Sequence, residues 1–127
     1  MTDDPLRTRL TLDETSTLGP AGTEVSFQDY FVRLRHAVAV RAVRFEGAES
    51  ARPGPGVLEA LEGADGIVVC PSNPIVSIGP LLAVPGVRQA VTARRDAVVA
   101  VSPIVAGAAL KGPADRLMAE LLSLIHI

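Results

Sequence analysis

A single cysteine, Cys70, leaves no partner for an internal disulfide, and with no histidine or second cysteine nearby it argues against a structural zinc site. Tryptophan is absent, and the aromatics amount to one tyrosine and three phenylalanines. Neither sign of charge prevails: 12 basic residues against 14 acidic ones, a formal net charge of −2, give no general attraction to nucleic acid or an anionic membrane. Only one of the basic residues, Lys111, is a lysine. No GxGxxG, P-loop or HExxH motif occurs. The start, Met1-Thr-Asp-Asp-Pro, lacks the basic and apolar regions of a signal peptide. These absences predict a cytoplasmic protein without nucleic-acid or membrane partners.

The 127 residues suffice for one domain with its own core. Their longest uncharged run, Gly66 to Val87, has the length of a membrane helix, but prolines at 71, 74, 80 and 85 break it. It reads instead as a strand, Ile67 to Cys70, buried on both faces and stopped by Pro71. A polar turn, Pro71-Ser72-Asn73-Pro74, follows, then Ser77-Ile78-Gly79 and a helix start at Pro80.

Around this stretch, Arg7 to Leu12 and Val40 to Phe45 alternate as half-exposed strands. Asp13 to Thr23 is a turn-rich loop. Ser26-x-x-Asp29 matches a capping box opening a helix with Phe27, Tyr30, Phe31 and Leu34 on one face, read as core packing rather than a ring-stacking platform. Arg33 and Arg35 complement the helix dipole, and His36 is a surface or capping residue. Helices are expected over Val57 to Leu61 and Val87 to Ala93, with a buried strand over Ala97 to Val101 running into Ser102-Pro103.

Strand, helix and strand in alternation predict an α/β, Rossmann-like fold: an open, mostly parallel sheet with helices on both faces. Parallel strands put the ends of Ile67 to Cys70 and Ala97 to Val101 on one sheet edge, where Ser72, Asn73 and Ser102 converge. Lys111-Gly112-Pro113 marks a further helix start. Free N–H groups at two helix starts, small polar side chains and Lys111 suggest a phosphate or carboxylate cradle. Cys70 reads as a small core residue, and Asp3, Asp4 and Asp13 as solvated carboxylates rather than metal ligands.

The stretches Pro-Ser-Asn-Pro-Ile-Val-Ser-Ile-Gly-Pro-Leu-Leu-Ala-Val-Pro-Gly-Val-Arg at 71 to 88, Val-Ser-Pro-Ile-Val at 101 to 105 and Lys-Gly-Pro-Ala-Asp at 111 to 115 resemble the 2-phospho-L-lactate transferase family. Phe27-Gln-Asp-Tyr-Phe-Val-Arg33 and Val43-Arg-Phe-Glu-Gly47 extend the likeness to nearly the whole chain. The resemblance implies transfer of a phospholactyl, or in actinobacteria phosphoenolpyruvyl, group from a guanosine-diphosphate-linked donor to a deazaflavin precursor. GMP is released with help from Mg2+, in the making of coenzyme F-420. It implies that Ser72, Asn73 and Ser77 line the donor or acceptor pocket and that Lys111 meets a phosphate oxygen; it also allows a homodimer.

The family begins with a glycine-rich strand-turn-helix and acidic metal contacts that have no counterpart here. Residues 1–121 are therefore expected to be a central and C-terminal-side fragment of one transferase domain, inactive alone. Leu122-Ser-Leu-Ile-His-Ile127 back-translates as CTG TCT CTT ATA CAC ATC, the end of a widely used sequencing transposon, which makes 122–127 an expected adapter-derived tail and His126 no ligand. The other readings are a non-catalytic nucleotide-binding regulator of related fold and an unstable piece with an open sheet edge.

Overall fold

The computed structural model describes residues 1–106, 108–109 and 113–122, so Lys111 and all but the first residue of the expected tail lie outside the described residues. Strands β1 (Arg7–Leu12), β2 (Glu24–Ser26) and β3 (Val40–Glu46) form an antiparallel sheet in the order β2-β1-β3. Cross-strand ion pairs Arg9–Glu46 and Arg44–Glu24 lace its outer side at 2.8 and 2.7 Å. Its inner side supplies Leu10, Leu12, Val25 and Val40 to a core that also holds Tyr30, Leu34 and Leu117.

Helix α1 (Val57–Gly63) leads to β4 (Ile67–Val69), and α2 (Gly79–Ala83) and α3 (Val87–Ala93) lead on to β5 (Val98–Ala100). Strands β4 and β5 pair in parallel, Val68 opposite Val99. A small antiparallel pair, β6 (Ile104–Val105) and β7 (Ala108–Ala109), precedes α4 (Ala114–Leu122). The protein is thus α/β, with helices between its parallel strands. Parallel pairing among the described residues is confined to β4 and β5, which differs from the expected open, mostly parallel sheet. Alternation in sequence announces strands and faces but not partners, and here the N-terminal strands pair with one another.

The strands β4 and β5 were expected to be buried on both faces. Val68 and Val99 instead expose 68% and 63% of their surface, and Cys70 is exposed rather than in the core. Their burial needs a covering layer and further strands, and among the described residues this sheet has two strands. No described helix is long and apolar enough to cross a membrane; the uncharged run folds as β4 and the helical segment Pro74–Ala83, and the chain bends by 97° into Val87–Ala93.

Besides the shared core with Leu117, Ile75 and Val76, close contacts tie the antiparallel sheet to the later elements. Gly79 approaches β3 so closely that a Cβ there would lie 2.7 Å from the Phe45 ring, which leaves room for hydrogen only. Arg116 on α4 donates to the His36 and Ala37 carbonyls, both at 3.2 Å, and to Glu120 at 2.6 Å, while Glu120 accepts the Val40 N–H at 3.0 Å.

Candidate functional site

The turn after β4 is more ordered than its sequence suggests. Asn73 is a helix N-cap: its Oδ1 accepts the N–H groups of Ile75 at 2.9 Å and Val76 at 3.2 Å, and Pro74 opens a π-helical turn, Pro74–Ile78, that runs directly into α2. Helical structure therefore begins at Pro74, not Pro80. Asparagine followed by proline is a cap followed by a favoured first position, so the signal was present. The consequence is chemical. The N–H groups of Ile75 and Val76 are taken up by the cap, and of the Asn73 side chain the amide nitrogen remains to donate.

A second helical turn faces this one. Ser26 Oγ accepts the Asp29 N–H at 3.0 Å and donates to Asp29 Oδ2 at 2.8 Å, so the predicted cap is made, and a π-helical turn follows over Asp29–Arg33. Arg33 reaches back to Asp29 at 3.3 Å. The His36 N–H closes the end on the Tyr30 carbonyl at 3.0 Å, with Arg35 and His36 at φ 48° and 46°, in keeping with a capping role. The π-turn splits the aromatic face. Tyr30 and Leu34 enter the core, but Phe31 stays 41% exposed and stacks on Phe27 with ring centroids 5.5 Å apart. The expectation of core packing fails for Phe31.

Between the two turns lies a cleft of about 450 Å³, within the range of small-molecule sites. Phe27 and Phe31 form one wall; Pro71, Pro103 and Pro113 contribute apolar surface; Ser72, Asn73 and Ser77 bring the polar groups. Three of the predicted site residues therefore meet in one cavity. Pro71 follows β4 and Pro103 follows β5, so the parallel pair delivers both strand ends to it, as sheet geometry requires. Ser102 is exposed and absent from the lining: its Oγ accepts the Ile104 N–H at 3.1 Å, and Pro103 takes its place. Sequence reasoning did not place Phe27 and Phe31 here. Their signal was a second aromatic one helical turn beyond the first, four residues on.

No charged side chain lines the cleft, and no group of three His, Cys, Asp or Glu residues able to hold a metal converges among the described residues. These residues do not form a Mg2+ site. Asp4 instead accepts the Arg52 N–H at 2.7 Å. What the arrangement can hold is a flat, largely apolar body with a few hydrogen-bonding atoms.

The α/β fold thus places an aromatic-walled cleft, uncharged among the described residues, at the ends of two parallel strands. The family model described as 2-phospho-L-lactate transferase CofD matches residues 1–125, and the chain belongs to that family. A phosphoenolpyruvate transferase of Kitasatospora aureofaciens is 48% identical over 120 residues, covering 94% of this chain and 36% of the relative. That of Streptomyces coelicolor is 48% identical over 119 residues with the same coverage. That of Mycolicibacterium smegmatis is 45% identical over 92 residues, 72% of this chain and 28% of the relative. The chain thus spans about a third of the length of the relatives it matches.

Proposed function

We propose that this chain supplies part of the substrate site of a phosphoenolpyruvate transferase. In the proposed reaction, the alcohol of the deazaflavin precursor attacks the donor phosphorus that bears the enolpyruvyl oxygen. A new P–O bond forms to the acceptor, the diphosphate bridge breaks, GMP leaves, and the alcohol proton passes to solvent or base. The family membership supports a transferase in coenzyme F-420 biosynthesis. The names of the relatives favour the phosphoenolpyruvyl over the phospholactyl donor.

The observation that carries the reading is the convergence of Ser72, Asn73 and Ser77 in one cleft. In such a reaction much of the rate comes from holding acceptor and donor in line. Ser72, Ser77 and the Asn73 amide would fix one substrate by hydrogen bonds, and apolar walls would exclude water. Lys111 enters this reading as the partner of a phosphate oxygen. Magnesium enters through the family resemblance alone. The doubly covered parallel sheet is likewise a proposal for a protein of the relatives' length, in which further structure would cover Val68 and Val99.

A chimera tests this. Residues 1–121 of this chain replace the matching third of the Streptomyces coelicolor enzyme, and GMP release is followed with acceptor and donor present. Turnover that falls at least about tenfold on Ser77→Ala supports the reading, a loss typical of a missing hydrogen bond to a bound substrate. A folded chimera that binds neither substrate contradicts it.

A further inference from the structure

Phe31 is the unexplained residue of the cleft. It sits beside Tyr30, which is fully buried, yet keeps 41% of its own surface exposed, although the fold has a core within one residue's reach. Leaving an aromatic ring in water forgoes the burial that stabilises it elsewhere. The ring is nonetheless held in place: it stacks on Phe27 at 5.5 Å and has the His36 ring tilted against it at 5.3 Å. Phe27 is in turn packed against the core, so the row is anchored at one end and open toward the cleft.

We infer that Phe27 and Phe31 form a recognition wall for a fused, planar heteroaromatic ring, with Ser72, Ser77 and the Asn73 amide meeting the ring's polar edge. This rests on the transferase reading above and names which part of a substrate the cleft takes. Three observations point the same way. The wall is aromatic and its ring pair is fixed before any ligand arrives, so little side-chain entropy is lost on binding. The other apolar surface is proline-rich and stiff. Among the described residues the lining is uncharged and mostly apolar, which suits the face of a ring. The Asn73 cap already occupies the N–H groups of Ile75 and Val76, which leaves its amide nitrogen for a ring edge.

Both substrates of the proposed reaction carry such a ring, the guanine of the donor and the deazaflavin of the acceptor. Binding of the 127-residue chain is measured separately to the deazaflavin precursor, by its fluorescence, and to GDP, by calorimetry. The variants are Phe31→Ala, Phe31→Tyr and Phe27→Leu, the last keeping apolar bulk in the core. Phe31→Ala is expected to weaken binding of one of the two at least about tenfold, in line with ring-stacking contacts elsewhere. Phe31→Tyr should restore most of that affinity, and far-ultraviolet circular dichroism should not change. Loss confined to the deazaflavin assigns the wall to the acceptor; loss confined to GDP assigns it to the donor. If the chain binds a ligand and both Phe31→Ala and Phe27→Leu leave the affinity within about twofold, the wall is overturned and the transferase reading stands. If the unaltered chain binds neither, both are overturned.

Discussion

Asn73 lines the cleft, yet its carbonyl oxygen is occupied by Ile75 and Val76, so the same side chain shapes the site and starts the helix that carries Ser77. Asn73→Ala should therefore lower stability by about 1 kcal/mol, the usual worth of an N-cap, and thermal unfolding should register it. Any effect on substrate binding has to be judged against that loss. Tyr30 presents the reverse case, a fully buried side chain whose hydroxyl has no hydrogen-bond partner among the described residues. Burial, with the Glu120 carboxylate adding to it and Arg116 opposing, pushes its pKa up from 10.0 to about 12. Between those values the unfolded chain gives up a proton that the folded one retains, so stability falls as pH rises through that window. Tyr30→Phe removes this fall, and at neutral pH it is expected to be neutral or stabilising, because no hydrogen bond is lost. Denaturant unfolding at pH 7 and pH 11 checks both statements. Residue types at this scale were legible in part: Asn73-Pro74 could be read as a cap, but nothing in the spacing of Tyr30 and Phe31 told which ring the π-turn would send inward.

At the scale of elements, two short contacts add to the shared apolar core in holding the antiparallel sheet to the rest. Glu120 accepts the N–H of Val40, a residue 1% exposed, from a helix 80 positions further along the chain. Glu120→Ala strands that donor and is expected to cost about 1–3 kcal/mol, whereas Arg33→Ala, at an exposed pair, should cost well under 1 kcal/mol. Chemical denaturation of the two variants side by side checks the contrast. Gly79 meets Phe45 with no space for a methyl group. Gly79→Ala should destabilise by about 1–3 kcal/mol through overpacking, and Phe45→Leu in the same chain should recover part of it. Neither contact was legible, since both join segments far apart in sequence. The elements themselves were: β1, β3, α1 and α3 lie close to where alternation, glycine and proline placed them, because those signals are local.

For the molecule as a whole, the open side of the β4–β5 pair matters most. Val68 and Val99 expose 68% and 63% of their surface, and both strands have an unpaired edge among the described residues. Such a face predicts self-association of the isolated chain that grows with concentration, visible by light scattering, and Val68→Lys should reduce it. The sequence was right that β4 and β5 are parallel, because short apolar runs separated by helices allow little else, and residues just after both strands line one cleft. It misjudged their burial, since a run of valines states what a strand needs and not what covers it.

The most direct test of the site is a pair of titrations of the isotopically labelled chain, one with the deazaflavin precursor and one with GDP, following amide chemical shifts. The cleft reading predicts, with at least one of the two, saturable shifts concentrated at Phe27, Phe31, Ser72, Asn73 and Ser77. Shifts that gather instead on the Val68 and Val99 face, or none with either ligand, would contradict it.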